Sequence, residues 1–185
     1  MTKNELRKRY LDKRMSLSLE EVRKWSEKIA EHVLSFVEEQ NVQTVFLYAA
    51  FQNEPETESL IKKLLVLGKN VALPRCEKYG RMTMLRVTDI SSLSPGAYGI
   101  LEPKETEAVL PEAADLVLIP GCVFGRDMTR LGYGGGYYDR YLPLCTKAIK
   151  AGLCYEISLK DTLPTENFDV KMDCIITEKG LMNNL

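Results

Sequence analysis

Apolar positions recur along this chain with two different periods, and the switches between them set the expected elements. Over residues 3–15, Leu6, Tyr10 and Leu11 share one side of a helix, while Lys3, Arg7, Lys13 and Arg14 fall on the others. Ser18 followed by Glu21 has the form of a capping box. It predicts a second helix over Leu19 to Glu39, with Val22, Trp25, Ile29, Val33, Phe36 and Val37 at helical spacing. Short apolar runs then take over. Val45 to Tyr48, Val71 to Pro74, Met82 to Val87, Leu116 to Ile119, Ala148 to Cys154 and Cys174 to Thr177 read as strands. Glu56 to Leu67 reads as a helix stopped by Gly68, and Tyr137 to Leu142 as a short one. Ser91 to Pro111, rich in Ser, Pro and Gly, reads as a long surface excursion, and the stretch after Pro120 and Gly121 as a loop.

Strands alternating with helices predict an α/β fold with a mainly parallel sheet. With 185 residues and no repeat, low-complexity tract or linker, one domain over residues 1–185 is expected. Apolar residues make up 45% and charged residues 28%, as in a soluble globular protein. Twenty-five basic against 26 acidic side chains leave a net charge of −1, which argues against a nucleic-acid binder. The apolar runs are far shorter than the roughly 20 residues of a membrane span, and the basic start of the chain is no secretory signal. The five cysteines lie far apart without a CxxC pair, so reduced thiols in a cytoplasm are the simplest reading.

In such sheets ligands bind beyond the carboxyl ends of the strands. The richest of those segments is RLGYGGGYYDR, Arg130 to Arg140, where Gly132, Gly134, Gly135 and Gly136 precede the short helix. Side chains without Cβ let backbone amides approach a phosphate, and a helix start adds unpaired N–H donors. Arg126, Arg130 and Arg140 are near enough in sequence to add charge, so a di- or triphosphate suits the segment. Two known phosphate motifs do not fit. A dinucleotide fingerprint needs glycine where Tyr137 stands, and the Gly-Lys-Ser/Thr of a P-loop is absent. A glycine-rich turn that merely lets a helix pack closely is the alternative.

Asp139 could hold Mg²⁺ or only satisfy a helix start, with Asp173 as a second carboxylate or a surface residue. Lys3 and Arg7, spaced i and i+4, could clamp phosphates or form a solvated basic face. Glu54 and Glu56 flank Pro55 after the first strand, where a carboxylate could receive a pterin-type donor face or cap the following helix. His32 is the only histidine, beside an apolar stripe, and reads as structural.

The Arg130–Arg140 run resembles the signature of the 5-formyltetrahydrofolate cyclo-ligase family. Further similarities follow in the family's order: KNELR at Lys3–Arg7 with Arg14 beyond it, EPET at Glu54–Thr57, and LPR at Leu73–Arg75. GILEP at Gly99–Pro103, LIPG at Leu118–Gly121 and VKMD at Val170–Asp173 complete the set. They cover nearly the whole chain. Family members often carry Lys at the position of Gly135, which removes one candidate charge here.

The resemblance implies a three-layer α/β/α sandwich and a reaction. ATP phosphorylates the formyl oxygen of 5-formyltetrahydrofolate, N10 closes on the activated carbon, and 5,10-methenyltetrahydrofolate, ADP and phosphate result. It implies that Lys3, Arg7 and the run Arg130, Leu131, Gly132, Tyr133, Gly134, Gly135, Gly136, Tyr137 and Tyr138 bind ATP. Ala49, Glu54 and Tyr133 to Tyr137 would border the folate, Asp139 and Asp173 would hold Mg²⁺, and Arg130, Tyr138 and Asp139 would be catalytic. Arg75 would be a lesser charge contact. A cytoplasmic monomer acting on the folate, with or without a polyglutamate tail, is expected, without nucleic-acid or membrane partners. A folate- and nucleotide-binding protein without turnover, and a sugar-phosphate enzyme on a similar scaffold, are the alternatives.

Overall fold

A computed structural model describes residues 1–96, 99–104 and 107–183. Its helices start where side chains can satisfy unpaired amides. α1 (Lys3–Met15) opens on a capping box of Thr2 and Glu5, and α2 (Leu19–Glu39) on the expected one of Ser18 and Glu21. β1 (Thr44–Phe46) leads to α3 (Glu58–Val66), two residues shorter at its start than the apolar pattern suggests. Thr57 precedes the helix, and its hydroxyl donates to Tyr48 O at 2.6 Å and does not cap it. Gly68, at φ +72°, lies two residues past the helix end as expected.

β2 (Asn70–Cys76) and β3 (Met82–Val87) form an antiparallel hairpin. β4 (Leu93–Pro95) and β5 (Leu101–Pro103) form a second, smaller one, and Leu85 bridges Ala108. The expected surface excursion over 91–111 therefore contains a hairpin; Ala97, Tyr98, Glu105 and Thr106 of that stretch lie outside the described residues. β6 (Leu116–Ile119), β7 (Val123–Gly125), β8 (Arg130–Leu131), α4 (Tyr137–Tyr141), β9 (Ile149–Leu153), β10 (Leu159–Lys160), β11 (Cys174–Thr177) and β12 (Gly180–Asn183) complete the order.

The main sheet has seven strands in the order β12-β11-β9-β6-β1-β2-β3. β11, β9, β6, β1 and β2 run parallel, with antiparallel β12 and β3 at the edges. Alternate side chains divide between its faces, as the period of two requires. Val45, Leu47, Leu116 and Leu118 meet Ile29, Val33, Phe36, Leu60 and Leu64 of α2 and α3 on one face. Phe46, Val117, Ile119 and Ile175 meet Phe124, Tyr141 and Leu142 on the other.

The second outer layer is not purely helical. β10, β7 and β8 form a three-stranded sheet in what the sequence presents as loop. Strands of two or three residues are too short to display a period, which is why the pattern misses them. α1 docks on this small sheet, with Leu6 and Tyr10 against Val123, Leu131 and Leu163. One placement is corrected here. Arg14, assigned to a polar side of α1, is only 2% exposed and lies on the inward side with Leu6 and Tyr10.

Candidate active site

Past Tyr48 the chain makes a tight reversal. Gln52 and Asn53 both take left-handed backbone, at φ 49° and 54°, and Glu54 N closes the turn on Phe51 O at 3.1 Å. The reversal aims the Glu54 carboxylate inward, where it is 3% exposed and both oxygens are engaged. Oε2 accepts from Phe51 N at 3.0 Å, and Oε1 accepts from the Tyr133 hydroxyl at 2.5 Å. Burial pushes Glu54 up to about 7, against the opposing pull of the Arg14 charge and of its two donors. Tyr155 donates to Glu54 O at 3.2 Å and holds the backbone behind it. A cleft of about 540 Å³ runs between α2, the start of α3 and the β4–β5 hairpin, with Ala49 and Glu54 in its wall.

Arg14 organises this corner. Its guanidinium donates to Gln52 O at 2.9 Å, to Gly121 O at 2.8 Å and to the Tyr133 hydroxyl at 2.5 Å. Those acceptors come from the segment after β1, the end of β6 and the glycine-rich loop. One buried side chain of α1 thus joins two carboxyl ends of the sheet to the loop. The signal was available: Leu6, Tyr10 and Arg14 are spaced i, i+4 and i+8, which puts Arg14 on the apolar side of its helix.

The glycine-rich loop sits across from this corner. Gly134 at φ +99° and Gly136 at φ +66° take backbone that L side chains rarely adopt, and Gly136 is the residue before α4. The ring of Tyr133 is partly exposed while its hydroxyl is held between Arg14 and Glu54. Arg7 donates to Gly132 O at 2.8 Å and lies alongside Gly134. Arg140 donates to Gly135 O at 2.6 Å and to Gly80 O at 3.1 Å, tying the loop to the β2–β3 hairpin. Because α4 is only five residues long, its dipole contributes little.

Arg130, in β8, is 8% exposed and donates to Asp139 Oδ1 at 2.9 Å and to Pro120 O at 3.3 Å, with its guanidinium 5.5 Å from the Tyr138 ring. Its Nε is buried without a partner among the described residues. An unpaired buried donor costs roughly 1–3 kcal/mol, which an arriving acceptor recovers. Tyr137 and Tyr138 pack against the second-face cluster, and burial raises the Tyr138 hydroxyl far above its usual range.

Other predicted residues lie where their contacts put them. Leu131 is buried under α1, so only its main chain faces the loop region. Lys3 is paired with Asp169 at 2.8 Å and Glu166 at 3.0 Å. Arg126 is ion-paired with Glu156, and Arg75 donates to Pro103 O. His32 holds Thr177 O at 2.9 Å, a structural contact. The five cysteines are free; burial lifts Cys122 and Cys145 to about 11 and Cys174 to about 12, so these are protonated thiols near neutrality.

The two aspartates differ. Asp139 Oδ1 takes Arg130 and, at 3.4 Å, Val170 N, and Oδ2 accepts no hydrogen bond among the described residues. One carboxylate oxygen without a partner among the described residues, beside the glycine-rich loop, fits Mg²⁺, which takes one or two carboxylates and fills its shell with phosphate oxygens and water. Asp173 Oδ2 accepts from Lys150 N at 2.7 Å, at the amino-terminal edge of the sheet. Asp115 does the same two strands over, accepting from Gln43 N and Thr44 N at 2.9 Å. Each precedes a strand and caps the start of its neighbour. No cluster of three or more His, Cys, Asp or Glu suited to a metal occurs among the described residues.

The solved structure of 5,10-methenyltetrahydrofolate synthetase from Aquifex aeolicus superposes with a TM-score of 0.88 at 37% identity, covering 99% of this chain and 93% of that one. The 5-formyltetrahydrofolate cyclo-ligase of Haemophilus influenzae is 33% identical over 150 residues, 78% of this chain and 80% of its own length. The mouse enzyme of the same name is 31% identical over 176 residues, 88% and 87% of the two chains. The sequence profile of that family matches residues 1–178, from the basic start of α1, through the Glu54 turn and the glycine-rich loop, to β11. A single lineage accounts for backbone and loop signature together, and the chain belongs to the 5-formyltetrahydrofolate cyclo-ligase family.

Proposed function

We propose that the protein catalyses ATP-dependent cyclisation of 5-formyltetrahydrofolate to 5,10-methenyltetrahydrofolate, releasing ADP and phosphate. The observation that carries this is the single side chain, Tyr133, that connects a glycine-rich loop to a buried carboxylate beyond β1. Two ligands bound at those places would meet across it. Family membership supports the same reaction.

In this reading Glu54, beside Ala49, receives the N–H donors of the pterin ring. The loop Arg130 to Tyr138 wraps the triphosphate with its main chain, and Arg7 and Lys3 add charge, Lys3 after yielding Asp169 and Glu166. The formyl oxygen attacks the γ-phosphorus and ADP leaves. N10 then attacks the activated carbon, and the phosphate departs with the former formyl oxygen while N10 loses its proton. An amide oxygen leaves poorly until it is phosphorylated, so the protein's work is positioning and charge neutralisation. The buried protonated thiols and the occupied His32 fit a reaction without a protein nucleophile. Mg²⁺ would neutralise phosphate charge, and Asp139, kept in place by Arg130, is the residue suited to hold it. Tyr138 stacks on Arg130 and fixes its plane.

We further read residues 1–185 as one domain, since both large apolar clusters back onto one sheet, and the protein as a cytoplasmic monomer. No helix among the described residues is long and apolar enough to cross a membrane. Incubation with 5-formyltetrahydrofolate, ATP and Mg²⁺ tests the activity: methenyl absorbance rises and ADP accumulates in equal amount. Absence of ATP-dependent product rejects it, and binding of both ligands without product makes the protein a binder.

A further inference from the structure

Both oxygens of the carboxylate assigned to the folate are taken by the protein's own donors. Glu54 is 3% exposed, Oε2 is held by Phe51 N, and Oε1 carries the Tyr133 hydroxyl at 2.5 Å. That hydroxyl is in turn held by Arg14 at 2.5 Å, so Tyr133 donates to one ion and accepts from another. Its Cα belongs to the loop that carries Gly132, Gly134, Gly135 and Gly136. Phe51 N is part of the turn that shapes the pocket, whereas Tyr133 hangs on a loop with two glycines at positive φ. The cheaper bond to break is the one to Tyr133.

We propose that Tyr133 is a positioning residue that couples the two substrates: its hydroxyl, steadied by Arg14, covers Glu54 in the free enzyme, and a planar heterocycle with N–H donors can take Glu54 only as Tyr133 leaves, carrying the glycine-rich loop with it. The coupling runs both ways, as linkage requires. A nucleotide that draws the loop around its phosphates lifts Tyr133 from Glu54 and raises folate affinity. Folate on Glu54 releases the loop and raises nucleotide affinity. Arg14 has a second part: once Tyr133 has left, its charge remains beside the buried carboxylate and opposes the upward push of burial. This inference rests on the folate reading of Glu54.

Tyr133→Phe keeps the partly exposed ring and removes only the hydroxyl, so the fold is retained. Titration calorimetry with 5-formyltetrahydrofolate, with and without a non-hydrolysable ATP analogue, compares wild type with this variant. In wild type the analogue tightens folate binding several-fold or more, within the usual range of about 5- to 150-fold. In Tyr133→Phe, folate alone binds about tenfold tighter, because no charged hydrogen bond must be broken first, and the effect of the analogue falls towards one. Hydrogen exchange without any ligand gives a second readout: amides 132–136 exchange faster in Tyr133→Phe and in Arg14→Lys than in wild type. Folate affinity in Tyr133→Phe equal to or weaker than wild type, with the coupling factor unchanged, overturns the proposal while the activity stands. Unchanged loop exchange in both variants also overturns it. A wild-type protein that binds no folate at all rejects the functional reading itself.

Discussion

The two faces of the main sheet are built by different rules. On one, two amphipathic helices with regular stripes close over Val45, Leu47, Leu116 and Leu118. On the other, a five-residue helix, a small sheet and α1 share the cover, and charged side chains are buried among them: Arg14 and Arg130. The regular face can be built by hydrophobic burial alone. The irregular one buries charges, and burying a charge costs several kcal/mol unless it is paired and hydrogen-bonded. Such an arrangement is selected for something other than stability, and here it surrounds the glycine-rich loop. Perturbing the first face should therefore cost stability without chemistry, and perturbing the second should cost both, or chemistry alone.

The largest effect is expected at Asp139. Asp139→Ala removes the partner of Arg130 and the carboxylate proposed to hold Mg²⁺, and kcat falls about 10²- to 10³-fold in steady-state assays. Turnover unchanged across Mg²⁺ concentrations would contradict its role.

Arg14→Met leaves Glu54 without its cation and Gln52 O and Gly121 O without their donor. Urea unfolding should register a loss of about 3–5 kcal/mol at pH 8. The loss shrinks at about pH 5, where Glu54 is protonated. A loss independent of pH would separate the two residues.

On the opposite face, Leu64→Ala is expected to cost about 2–5 kcal/mol by the cavity it leaves, with KM for both substrates unmoved. A change in either KM would mean that the helical face communicates with the site.

Glu54→Gln tests the pH dependence with a fixed sign. Glu54 has a folded value raised to about 7 from an ordinary 4.5, so its contribution to stability is fully present below the lower value and is lost as pH rises through the higher. The variant loses that slope and gains more stability at about pH 8 than at about pH 5. Folate binding, which needs the ionised acceptor, should strengthen between about pH 6 and pH 8 in wild type and stay flat in the variant. The smallest effect is at Ser18: Ser18→Ala removes one side of the capping box, costs about 1 kcal/mol in thermal unfolding and leaves turnover unchanged.

The sequence alone determined the elements long enough to display a period. α2 starts and ends where the capping box and apolar stripe put it, and β3 and β6 match their runs to the residue, because burying one face demands that spacing. The glycine-rich loop was legible for a related reason, since positive φ at Gly134 and Gly136 excludes most other residues. β7, β8 and β10 were not, being too short to have a pattern. Only the tertiary structure decided what a charged side chain does. Spacing puts Arg14, unlike Arg7, on the apolar side of α1, but that it meets Gly121, Gln52 and Tyr133 while Arg7 lies along the loop is set only in the folded chain. Asp139 and Asp173 are both candidate Mg²⁺ carboxylates in the sequence, yet one is paired with an arginine and the other caps a strand. A charge acquires its role from partners distant in sequence, and those partners are set by the packing of sheet, helix and loop around it.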